Sequence, residues 1–117
     1  VRGRARDRDD LPAAIDALNS RDAVVLVDCL TLWVSNLLLA EADIPLAGRQ
    51  LCHAISRFEG TLILVANEVG LGIVPDNALA RAFRDAAGHL NQLVAATVEE
   101  VVLLTAGLPL TLKPRGA

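Results

Sequence analysis

The chain has no methionine and no tyrosine, and its aromatic residues are one tryptophan and two phenylalanines. With so few rings, a hydrophobic fraction of 53% has to be packed from Leu, Val, Ile and Ala. Cysteine is scarce too: Cys29 and Cys52 fit neither a metal-binding nor a redox spacing, and both read as buried thiols of a reducing compartment. No apolar run approaches the roughly 18 uninterrupted residues of a membrane span. Four arginines at the start (Arg2, Arg4, Arg6, Arg8), with no apolar stretch behind them, do not form a secretory signal, and the expected location is the cytoplasm. A net charge of -3 gives no general attraction to nucleic acid or to an anionic membrane. The arginines themselves read as a solvated terminus. The missing initiator methionine has two explanations, removal ahead of the small Val1 or a fragment of a longer protein, and the motifs discussed below favour the fragment.

What is present is concentrated in two segments. Val24-Val25-Leu26-Val27 runs into Asp28, and Leu62-Ile63-Leu64-Val65-Ala66 runs into Asn67-Glu68, followed by Gly70 and Gly72. Continuous apolar runs of this length fit strands buried on both faces, as in a parallel sheet covered by helices. Ligands of such sheets sit beyond the carboxyl ends of the strands, where Asp28, Asn67 and Glu68 fall.

The rest of the chain alternates with these strands. Leu11, Ile15 and Leu18 are spaced as one face of a short helix. Leu30 to Glu41 is apolar almost all round and predicts a buried helix, broken by Asp43 and Pro45. Ala47, Leu51, Ala54, Ile55 and Phe58 form a helical stripe closed by Gly60. Asn67 to Asp76 reads as a loop, with Asp76 as cap of a long amphipathic helix carrying Leu79, Phe83, Ala86, Ala87, Leu90, Leu93 and Val94. Val101 to Thr105 and Leu108 to Lys113, separated by Ala106-Gly107, predict an antiparallel edge hairpin. The whole predicts one α/β domain, with a mostly parallel sheet flanked by helices and a single core over its 117 residues.

Among residues able to do chemistry, Asp28 fits an acid that holds Mg²⁺ through water or contacts a base edge or ribose; it also fits a helix cap. Thr31 and Ser35 offer hydroxyls on the following helix. Asn67-Glu68 ahead of Gly70 and Gly72 is the sharper signal, since glycines there let backbone approach a ligand or a neighbouring chain. The Gly-x-Gly lacks the third glycine of a dinucleotide fingerprint. His53 and His89 fall on the polar sides of their helices, with no second ligand at metal spacing and no nucleophile–base set. Arg81 and Arg84 stand near the loop, able to meet phosphate or to pair with Asp76 and Asp85.

Residues Leu26-Val27-Asp28-Cys29-Leu30-Thr31-Leu32-Trp33-Val34-Ser35-Asn36-Leu37-Leu38 and Val65-Ala66-Asn67-Glu68-Val69-Gly70-Leu71-Gly72-Ile73-Val74-Pro75 resemble the bifunctional adenosylcobinamide kinase/adenosylcobinamide-phosphate guanylyltransferases of cobalamin biosynthesis. Leu79-Ala80-Arg81-x-Phe83-Arg84-Asp85-x-Ala87-Gly88-x-x-Asn91-Gln92 is similar to the same family. The likeness covers residues 23–113, with 1–22 matching poorly, so that 1–117 reads as the carboxyl-terminal part of one such domain. It implies a P-loop-type, RecA-like α/β fold and a homotrimer of full-length members. It further implies phosphorylation of adenosylcobinamide by ATP or GTP with Mg²⁺, then GMP transfer from GTP through a guanylylated histidine to give adenosylcobinamide-GDP. On this resemblance Asp28 takes the place of an acid that contacts the guanine nucleotide. Asp10 (or Asp9) corresponds to a second acidic contact, and Asn67, Glu68, Gly70 and Gly72 are substrate or loop residues.

Two of the family's parts have no counterpart in this sequence. One is the amino-terminal Gly-rich loop with its Lys-Ser, which positions phosphates. The other is the guanylylated histidine, whose basic segment here reads Arg2-Gly3-Arg4-Ala5-Arg6-Asp7-Arg8-Asp9. A covalent nucleophile has no substitute in general polarity. The resemblance therefore assigns no catalytic residue and no metal ligand to this chain, which by itself is expected to be inactive. The competing readings are a non-catalytic paralogue or partner subunit and a small nucleotide-binding module.

Overall fold

Short polar side chains cap the starts of three of the helices. In the computed structural model, which describes residues 10–68 and 77–116, Asp10 accepts from the Ala13 N–H at 3.1 Å and opens α1 (Leu11–Ala17), with Pro12 in its first turn. Asp43 does the same for α3 (Ile44–Arg57), accepting from Leu46 N–H at 3.1 Å. Asp43 and Pro45, predicted as breakers, thus start a helix, because Pro45 falls in the first turn where its missing N–H costs nothing. The cap of the long α4 (Ala78–Thr97) is Asn77, which accepts from Ala80 N–H at 2.7 Å, while Asp76, expected as the cap, lies outside the described residues. The remaining helix, α2 (Leu30–Leu39), follows directly on the first strand.

The strands are β1 (Val24–Asp28), β2 (Thr61–Val65), β3 (Val101–Thr105) and β4 (Leu108–Lys113). β1 and β2 pair in parallel, in register from Val24 opposite Thr61 to Asp28 opposite Val65. Val25 and Val27 point into a core with Leu30, Trp33, Val34, Leu51, Ala54, Ala87, Leu90 and Val94, of which Val34, Leu51 and Ala54 are fully buried. α3 and α4 approach closely at Gly48, where an added β-carbon would stand 3.2 Å from the end of Leu93.

The expectation of strands buried on both faces fails. Leu26 is 61% exposed and its cross-strand neighbour Ile63 is 49% exposed, with Val24 and Val65 beside them. All the helices packed on this pair cover the Val25–Val27 face; among the described residues nothing covers the other. For the same reason α2 is not buried all round: Leu30, Trp33, Val34 and Leu37 face the core while Leu32 and Leu39 are exposed.

The hairpin β3–β4 is antiparallel, as predicted, and turns through Ala106 and Gly107 with φ of 53° and 75°. Two positive φ values in a two-residue loop are the geometry whose twist matches paired strands. The hairpin is a separate two-stranded sheet and does not edge the parallel pair. Its ladder is internal, and its described anchor is Lys113, whose ammonium donates to carbonyls at the end of α4. Among the described residues no helix is long and apolar enough to cross a membrane.

Candidate functional site

Parallel pairing brings the carboxyl ends of β1 and β2 side by side, so Asp28 is level with Val65 and one step from Ala66-Asn67-Glu68. The structure therefore joins three of the residues singled out from the sequence. Asp28 does not cap α2. That position belongs to Cys29, extended at φ −137° and ψ 160°, whose side chain makes no capping bond. The Asp28–Cys29 peptide bond is cis. The Asp28 side chain is exposed and, among the described residues, makes neither hydrogen bond nor ion pair. A carboxylate left free at a strand end beside an uncapped helix start is available to a ligand.

Thr31, in the first turn of α2, accepts the backbone N–H of Asn67 at 2.8 Å. The threonine was legible as a hydroxyl near the site, but its partner was not, because 36 residues separate the two. Asn67 and Glu68 are both exposed. Gly70 and Gly72, with Pro75 and Asp76, lie outside the described residues.

Other candidates fall elsewhere. The Asp10 carboxylate is occupied as the α1 cap. His53 and His89 are exposed, and His89 borders an apolar recess of about 160 Å³ between α3 and α4, lined by Ile44, Pro45, Ala86, Leu90 and Leu93. That recess shares no residue with the Asp28 site. Arg84 pairs with Asp85 at 3.1 Å. Cys29 and Cys52 are free thiols but half-buried, not enclosed, and the Cys52 thiol donates to the Leu93 carbonyl at 3.7 Å. Among the described residues no group of three or more His, Cys, Asp or Glu could hold a metal ion.

Comparison with known proteins fits this geometry. The family model described as cobinamide kinase / cobinamide phosphate guanyltransferase matches residues 4–112. The bifunctional adenosylcobalamin biosynthesis protein CobP of Pseudomonas aeruginosa is 46% identical over 76% of this chain and 53% of its own length. The proteins of the same description named CobU are 38% identical in Salmonella typhimurium, over 88% of this chain and 65% of their own, and 39% identical in Escherichia coli, over 77% and 58%. The chain thus spans about half to two thirds of the length of the curated relatives it matches. A match that takes in β1, β2, their polar exits and all four helices leaves one conclusion: the chain belongs to the cobinamide kinase / cobinamide phosphate guanyltransferase family.

Proposed function

We propose that this chain carries the guanine-nucleotide-binding end of a bifunctional adenosylcobinamide kinase/adenosylcobinamide-phosphate guanylyltransferase. The observation that carries the reading is the Asp28 carboxylate, exposed and unpartnered among the described residues, at the end of a parallel strand beside Asn67 and Glu68. An acid so placed accepts from the N–H groups of a guanine edge or from ribose hydroxyls. No dedicated metal cage forms among the described residues. Magnesium that travels with a nucleotide needs only one or two carboxylates besides the phosphates, and Asp28 supplies one. ATP, GTP and Mg²⁺ as cofactors, adenosylcobinamide as substrate and assembly as a homotrimer belong to the same proposal, supported by family membership.

The chain binds nucleotide without turning it over, since none of its residues matches the phosphate-cradling Lys-Ser or the guanylylated histidine. Titration calorimetry with GTP and with ATP, in the presence of Mg²⁺, tests this. Saturable GTP binding that disappears in Asp28→Ala, with no guanylylated protein formed, supports the reading. Binding unaffected by Asp28→Ala removes it. A chain that binds no nucleotide at all leaves the partner-subunit reading in its place.

A further inference from the structure

We infer that Thr31 is a positioning residue for this site: its hydroxyl sets where the Asn67–Glu68 exit of β2 stands relative to Asp28. The inference rests on the nucleotide reading of the site, although its first test does not. β1, Asp28 and the first turn of α2 form one packed unit, because Leu30, Trp33 and Val34 seat that turn in the core at 2%, 5% and 0% exposure. Thr31 belongs to that unit, three residues after Asp28, and its β-branched side chain has few rotamers open to it on a helix.

Asn67 belongs to the other unit. The ladder between the strands ends at the Asp28–Val65 pair, and Asn67 lies two residues beyond it. Its N–H donates to the Thr31 oxygen at 2.8 Å, a distance that makes it a good bond. The bond therefore continues the register of the sheet past its last ladder rung and carries it to the two polar side chains opposite Asp28. Because Asn67 is exposed, water takes over this donor if the hydroxyl is lost. The bond then contributes little to folding and much to where the exit stands. The free hydrogen of the hydroxyl remains able to donate to an acceptor of its own.

The test compares Thr31→Val, which keeps the shape and loses the acceptor, with Thr31→Ser, which keeps the acceptor. Thr31→Ala serves if valine disturbs the fold. Amide hydrogen exchange at Asn67 is read in the ligand-free protein, and GTP affinity by calorimetry with Mg²⁺. Thr31→Val is expected to raise exchange at Asn67 and weaken GTP about fivefold, the equivalent of one ordinary hydrogen bond. Thr31→Ser is expected to restore both, with the melting temperature of all variants close to that of the parent. Equal exchange at Asn67 in parent and valine variant overturns the inference, as does equal GTP affinity or failure of serine to restore it. If the parent itself binds no GTP, the nucleotide reading falls while the exchange comparison still decides the positioning role.

Discussion

The ammonium of Lys113 donates to the carbonyl oxygen of Val98 at 2.6 Å, tying the last strand to the end of the longest helix. The same group reaches the Ala95 carbonyl at 3.0 Å. Helix ends leave carbonyls without intrahelical donors and carry partial negative charge, so a cation is favoured there. This is the only lysine in the chain.

Lys113→Met is therefore expected to lower stability by about 1–2 kcal/mol, the range for hydrogen bonds to a charged group that is partly open to water. Lys113→Arg should recover only part of this, since a planar fork does not converge on carbonyls as an ammonium does. Urea unfolding of the three proteins checks both; equal midpoints for parent and methionine variant would show the contact to be idle.

Two glycines should respond in opposite directions to alanine. A β-carbon at Gly60 would run into the backbone carbonyl oxygens of Ala23 and Ser20, beside the Thr61 N–H to Ala23 bond of 2.9 Å. Backbone cannot give way as a side-chain tip can, and Gly60→Ala should cost about 3 kcal/mol or more. Gly88 lies inside α4 with nothing within 4 Å of its added β-carbon. Gly88→Ala should gain about 0.5–1 kcal/mol by helix propensity. Thermal melts of the two variants must move apart.

Ala106 holds φ of 53° at the first turn position of the hairpin, a conformation that opposes a β-carbon. Ala106→Asn replaces it with the residue most often used ahead of glycine in such turns, and about 0.5–1 kcal/mol of stabilisation is expected. No gain in melting temperature would mean that the turn relaxes in solution.

Leu26 and Ile63 are opposite one another on the open face of the parallel pair. Contiguous exposed apolar surface promotes association. Replacing both with threonine, which keeps β preference, should shift sedimentation toward the monomer while leaving the far-ultraviolet dichroism unchanged. An unaltered distribution would show that the Leu26–Ile63 face drives no association.

Much of the architecture was legible because it depends on local periodicity. Both hairpin strands, their turn residues and, apart from the exposed Leu79, the stripe of α4 fall where spacing put them. The neighbouring placement of Asp28 and Asn67–Glu68 was legible because apolar strands that end in polar groups are locally visible and parallel pairing then sets their ends side by side. The glycine loop, read from Gly70 and Gly72, falls outside the described residues.

Burial was another matter. An apolar run marks a strand able to be covered on two faces, but coverage is a property of what packs against it. Here the helices supply one cover, on the Val25–Val27 side, and leave Leu26 and Ile63 open. Capping was ambiguous for a related reason. Asp76 and Asn77 are both good caps in sequence, and only backbone geometry selects Asn77. The sequence by itself determined the elements, their order, the family and the acid at the end of β1. Only the tertiary structure decided that the sheets are separate, since that depends on which strands pair, and that Lys113 closes α4 and Thr31 meets Asn67, because these contacts join residues 15 and 36 positions apart in the chain.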